Sequence, residues 1–169
     1  MAARDALIRD VVTISPTTKI EDALALISDH GIRAVPVVDA KKKYHGLFGL
    51  PALLDELLPV AARIEGGLHD LGFVTGGAGG AAKRIRKLAP KSVKTVLHPV
   101  NENAVLSPDI PMLEVIRRLH EFGSPLPVVD EKGVFLGLVS EQSCLNRLKD
   151  VLKDVEKEEA EEEKKKKKK

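Results

Sequence analysis

VPVVDAKKKYHGLFG, from Val35 to Gly49, comes back as LPVVDEKGVFLGLVS, from Leu126 to Ser140. At this offset of 91, Pro36, Val37, Val38, Asp39, Lys41, Gly46 and Leu47 meet identical residues at Pro127, Val128, Val129, Asp130, Lys132, Gly137 and Leu138. Upstream the offset becomes 92, pairing Ser15-Pro16 with Ser107-Pro108 and Gly31 with Gly123. A one-residue deletion in the loop after Gly123 joins the two registers. Self-similarity of this kind points to one structural unit used twice.

Each copy reads as the same string of elements. A short extended segment, Val11 to Ile14 or Ala104 to Leu106, stops at Ser-Pro. An amphipathic helix follows. Ile20, Ala23, Leu24 and Ile27 share one helical face in the first copy, and Met112, Val115, Ile116 and Leu119 do so in the second. Thr18-Lys19-Ile20-Glu21 has the spacing of a capping box, which satisfies two orphan N–H groups reciprocally. The second copy offers Asp109 and an early Pro111 instead. Two β-rich runs come next, Val35 to Val38 with Leu47 to Phe48, and Leu126 to Val129 with Val134 to Val139. The polar stretches Asp39 to Lys43 and Asp130 to Gly133 join them as hairpin turns. A closing helix, marked by Leu54, Leu57 and Leu58 or by Leu145, Leu148 and Leu152, completes a β-α-β-β-α unit. Alone, such a unit buries too little to be stable, so two copies packed together are expected.

The order strand, Ser-Pro, helix, hydrophobic-Pro-Val-Val-Asp, turn, Gly-Leu-hydrophobic-Ser, helix resembles the cystathionine-β-synthase (CBS) domain. That domain occurs in tandem pairs called Bateman modules. The resemblance covers residues 5–58 and 93–150, with residues 59–92 as a glycine-rich and basic linker; the charged, low-complexity 151–169 is expected to be a disordered tail or a frayed helix. It implies an α+β fold of two pseudo-symmetric CBS repeats forming one Bateman module, dimerising through helices. It also implies a non-catalytic, regulatory protein. Pairs in the family bind AMP, ATP or S-adenosylmethionine in clefts between the copies and pass that occupancy to a partner.

An adenosyl ligand needs a flat apolar slot, acceptors for the ribose diol and a cationic or N–H-rich end for any phosphate. In the family the ribose grip comes from Gly-hydrophobic-hydrophobic-[Ser/Thr]-x-x-Asp. The first copy reads Gly46-Leu47-Phe48-Gly49-Leu50-Pro51-Ala52, lacking both hydroxyl and carboxylate. The second reads Gly137-Leu138-Val139-Ser140-Glu141-Gln142-Ser143, which keeps the hydroxyl and puts Ser143 in the carboxylate's place. A neutral hydroxyl cannot replace a charged bidentate acceptor, a loss of about 1.5–3 kcal/mol per bond.

The resemblance makes Thr13, Arg33, Ser124, Leu126, Ser140 and Ser143 the candidate ligand residues. Most have a competing structural reading. Ser140 also suits the N-cap of the closing helix, with Ser143 at the third helical position. Ser124 suits a turn, Thr13 a half-buried strand, and Arg33 an exposed surface.

Composition bounds the rest. Hydrophobic residues make up 43% of the 169, aromatics only 3% with no Trp, and net charge is +2. The core is therefore aliphatic, and nucleic-acid binding by base stacking has no platform. No apolar run reaches the roughly 20 residues of a membrane span, and the charged N-terminus does not resemble a signal peptide, so a cytoplasmic protein is expected. His30, His45, His69, His98 and His120 lack metal-ligand spacing, and Cys144 has no catalytic partners in view. The cluster Lys83-Arg84-Arg86-Lys87 has no interleaved aromatic residue and points weakly to nucleic acid. Gly77 to Ala82 imitates a dinucleotide fingerprint after an extended Leu71 to Thr75, but no acidic residue follows at the required distance. The run from Glu156 to Lys169 is an acidic block before six lysines, either a solubilising tail or an electrostatic grip. The expectation is a regulatory homodimer with an unidentified protein partner, sensing an adenosyl ligand mainly on the second copy's side. A ligand-free scaffold is the alternative.

Overall fold

The computed structural model describes residues 1–58 and 77–166. The elements, in chain order, are α1 (Ile20–His30), β1 (Ala34–Val38), β2 (Tyr44–Gly49), α2 (Leu50–Leu57), α3 (Gly77–Leu88), α4 (Met112–Phe122), β3 (Leu126–Val129), β4 (Phe135–Val139) and α5 (Glu141–Lys166). Strands β1 and β2 pair antiparallel, Ala34 opposite Gly49 and Val38 opposite Tyr44; β3 and β4 repeat the arrangement from Leu126–Val139 to Val129–Phe135. The extended segments before each Ser-Pro shrink to one parallel bridge each, Ile14 with Val37 and Leu106 with Val128. The α+β unit read from the repeat is present twice.

The chain divides into two compact units that cross the sequence repeat. One consists of Val12–Val100; the other joins Met1–Val11 to Asn101–Lys169. Each unit thus takes in the segment that precedes the other copy. Ala3 and Ala6 are buried with Leu106, Met112, Val115, Leu119, Leu126, Val128, Val139 and Cys144. Val93 and Val96 are buried with Ile14, Ile20, Ala23, Ile27, Val35, Val37, Phe48 and Leu53. The two cores correspond position by position, with Val139 against Phe48 and Cys144 against Leu53.

Backbone groups hold the borrowed segments. The Ile20 N–H donates to the Lys91 carbonyl (2.9 Å), Glu21 N–H to Ala89 (3.0 Å), and Val93 N–H back to Thr18 (2.8 Å). In the other unit Met112 N–H donates to Met1 (3.2 Å) and Ala3 N–H to Ile110 (3.0 Å). These carbonyls replace the capping box expected at Thr18 and Glu21. The Thr18 hydroxyl instead accepts from Ser15 N–H at 3.1 Å, and Lys19 occupies the cap position with no side-chain bond. A tertiary carbonyl has won over a local side chain.

The hairpin aspartates do equivalent work. Asp39 Oδ1 accepts from Lys41 and Lys43 N–H (2.8 and 2.9 Å), and Asp130 Oδ1 from Lys132 and Val134 N–H (2.9 and 2.8 Å). These are aspartate turns that mimic backbone. His45 Nε2 adds a contact to Asp39 Oδ2 at 2.9 Å, and that bond, followed by the Lys43 amide, holds the Asp39 carboxyl below its ordinary range.

The closing helices bury Leu53 and Cys144, at equivalent positions; of the leucines that mark them, Leu57 and Leu148 are half-buried and Leu54, Leu58, Leu145 and Leu152 exposed. Within 59–92, read as linker, Gly77–Leu88 is helical, because Ala81, Ala82, Lys83, Arg84, Arg86, Lys87 and Leu88 are strong helix formers that outweigh three glycines. Arg84 Nη1 donates to the Leu57 carbonyl at 2.6 Å, at the C-terminal end of α2. The extended reading of Leu71 to Thr75, His69 and residues 59–76 as a whole lie outside the described residues. The charged run after residue 150, expected to be disordered or frayed, instead continues α5 as far as Lys166, where lysines and glutamates are good helix formers.

Gly137 and Gly46, both at positive φ (149° and 144°), separate the two units experimentally. A Cβ at Gly137 would lie 2.2 Å from the Ile8 carbonyl oxygen, where Ile8 and Leu138 exchange backbone hydrogen bonds; at Gly46 the nearest atom is Leu97 Cδ2 at 3.5 Å. Gly46→Ala should lose only the conformational term, about 1–3 kcal/mol. Gly137→Ala should lose more than that, by dislodging the Leu7–Ile8 segment. Denaturant midpoints of the two variants check the order.

Candidate functional site

The strand-to-helix turn of the second copy gathers three of the candidate serines. Ser140 precedes α5. Its Oγ accepts from Ser143 N–H at 3.1 Å, while Ser143 Oγ accepts from Ser140 N–H at 2.9 Å and donates to the Ser140 carbonyl at 2.9 Å. This is a reciprocal cap in which serine stands where glutamate usually does. Ser124, seventeen positions away, brings its Oγ within 3.3 Å of the Glu141 N–H and accepts from it. Three hydroxyls therefore serve one helix end. The Ser140 and Ser124 oxygens each accept one N–H, which leaves each hydroxyl proton to donate outward. Both residues are half-buried, so a ligand group reaching this turn meets two donors beside the positive end of a helix dipole.

The role of Ser124 was not legible locally, since nothing in sequence spacing links it to Glu141. Register supplies the link: Leu126 pairs with Val139, so the residues flanking that pair arrive together. Leu126 itself is 3% exposed and packs in the aliphatic core. Its backbone, not its side chain, positions the turn.

The first copy's turn has no such hydroxyls. Gly49 caps α2 without a side chain, and Pro51 in the first helical turn has no N–H to offer. A Cβ at Gly49 would sit 3.1 Å from both the Ala34 Cβ and the Arg33 carbonyl oxygen, so glycine lets the strand ends close up. Thr13 and Arg33 are both exposed and belong to the Val12–Val100 unit, whereas Ser124, Leu126, Ser140 and Ser143 belong to the other.

Other chemistry is sparse. Cys144 is 2% exposed, and burial pushes its thiol up, the opposite of what an attacking thiolate needs. His45 and His98 contact Asp39 and Asp55 at 2.9 and 3.2 Å, two separate exposed pairs. Among the described residues no group of three or more His, Cys, Asp or Glu side chains could hold a metal ion. None of the described helices is long and apolar enough to cross a membrane. On α4, Glu114 accepts from Arg117 and Arg118, which hold its carboxyl down to about 2. Arg118 also donates to the Val105 carbonyl at 3.0 Å, fastening the helix to the extended segment.

The CBS domain profile matches this sequence twice, at residues 3–59 and 93–150. The chain belongs to the CBS-domain family, as a tandem pair. The fold of this CBS pair is similar to that of solved CBS proteins at low sequence identity. A CBS domain-containing protein from Bacillus anthracis aligns at 21% identity and TM-score 0.65, covering 89% of this chain and 94% of the other. The CBS-pair protein CBSX2 from Arabidopsis thaliana aligns at 19% and 0.66, covering 90% and 96%; a structure of CBSX2 is a complex with AMP. CbpB, solved in complex with c-di-AMP, aligns at 16% and 0.67, covering 94% and 91%.

In this CBS pair the Ser140 cap has a measurable share of stability. Ser140→Ala should destabilise by about 1 kcal/mol, while Ser140→Asn, which still accepts the Ser143 N–H, should stay close to the parent. Thermal melts of the two variants check the difference.

Proposed function

We propose that this CBS pair is a non-catalytic regulatory module that senses an adenosine-type nucleotide, with the ribose held at the Ser124–Ser140–Ser143 turn of the second copy. The observation that carries the reading is the pair of half-buried hydroxyls, Ser124 and Ser140, at the N-terminus of α5, where the turn of the first copy has Gly49. The AMP and c-di-AMP complexes of structurally similar CBS proteins support the ligand class. The absent carboxylate makes binding weak, at AMP, ATP or S-adenosylmethionine concentrations nearer millimolar than micromolar. The module works as a cytoplasmic homodimer, using the exposed leucines of the closing helices, Leu54 and Leu145, against a second copy. Its output is a change in a protein partner's binding, driven by ligand affinity that differs between two states.

The opposing reading, a scaffold without ligand, is favoured by a specific fact: all three serines already satisfy the α5 helix end. Ser143→Asp separates the two. An aspartate at the third helical position keeps the reciprocal cap and restores the family's carboxylate, so affinity should rise about tenfold to a hundredfold. The measurement is the melting shift with AMP, ATP and S-adenosylmethionine, each variant against its own ligand-free baseline. A shift at millimolar ligand that grows in Ser143→Asp and shrinks in Ser140→Ala supports sensing. No shift in the parent or in Ser143→Asp leaves the scaffold.

A further inference from the structure

Two elements of this chain fall outside the CBS matches at 3–59 and 93–150, and they carry opposite charge. The first is α3 with the segment that follows it. Residues 77–92 contain Lys83, Arg84, Arg86, Lys87 and Lys91 and no Asp or Glu. The second is the part of α5 beyond Asp150. Between Asp154 and Glu163 it has seven carboxylates against the single Lys157.

Beside its charges α3 exposes one large apolar residue, and α5 a row of three. Ile85 on α3 is 39% exposed, flanked on the helix by Lys83, Arg86 and Lys87, for which no ion pair exists among the described residues. On α5, Val151, Leu152 and Val155 are 38%, 56% and 42% exposed. Glu156 lies four residues after Leu152, and Glu158 and Glu159 lie three and four after Val155, so the apolar row runs straight into the acidic one on the same helical face. The extension from Val151 to Lys166 is about 24 Å of helix with every described side chain from Lys149 to Ala160 exposed. An extension that reaches past the core with an uncovered apolar row gains burial only from a surface to pack on.

We propose that the acidic extension of α5 from one copy of this chain docks on the basic, Ile85-bearing face of α3 in a second copy. Charge complementarity chooses the occupant: parallel pairing of two α5 extensions would set carboxylates against carboxylates, whereas α3 presents cations beside an apolar residue of matching kind. Both faces are exposed among the described residues, and a second copy supplies to each the complementary charge. Two-fold symmetry uses each contact twice and closes the assembly. The contact rests on the homodimer reading above and assigns to it elements that lie outside the CBS repeats. It also gives the acidic block a role distinct from that of the lysines after it.

The test is the mass of the full chain in solution by light scattering or sedimentation, as a function of salt and concentration. The expected result is a species of twice 18.3 kDa whose dissociation constant rises with salt. Removing residues 151–169, or combining Lys83→Glu, Arg86→Glu and Lys87→Glu, should raise that constant at least tenfold; removing 164–169 alone should not. Mixing the basic-face reversal with Glu156→Lys, Glu158→Lys and Glu159→Lys should restore association, which also shows that both variants are folded. A dimer indifferent to the 151–169 truncation, or no rescue on mixing, overturns the docking and leaves the homodimer reading intact. A monomer at every concentration and salt overturns both.

Discussion

The amides at the start of α1 and α4 have no side-chain cap, and the rest of the structure follows from how they are satisfied. Lys91 and Ala89 supply carbonyls to Ile20 and Glu21, and Met1 supplies one to Met112. An unsatisfied buried N–H costs about 1–3 kcal/mol, so neither helix start is closed by its own copy. The segment that closes each helix also delivers two core side chains, Val93 with Val96 or Ala3 with Ala6. Each copy thus folds on residues that precede the other.

That exchange leaves the second half of each copy free to diverge. In both, the antiparallel hairpin brings the strand-to-helix turn beside the residue before the first strand. In the first copy the approach is close enough to require Gly49. In the second, the same position is Ser140 and its neighbour across the turn is Ser124. One backbone geometry thereby gives a closed turn and an open, hydroxyl-lined one.

Much of this was legible in the residues. The doubled phrase located both hairpins, both turn aspartates and the α4 and α1 core faces, because period and turn chemistry are local properties. The Ser140 cap was legible too, from its place before a helix. The leucines marked the closing helices, but the residues those helices bury, Leu53 and Cys144, do not follow from that spacing. The α3 helix was hidden by its glycines, and the acceptor role of Ser124 by its separation from Glu141.

The sequence by itself determined that there are two units, of one topology, with a serine where the other has glycine. Only the tertiary structure decided which segment belongs to which unit, which leucines remain uncovered and where the three hydroxyls are spent. The reason is physical. Periodicity and turn propensity act over a few residues, whereas the satisfaction of a helix end or the burial of a face depends on whatever backbone arrives from elsewhere in the chain.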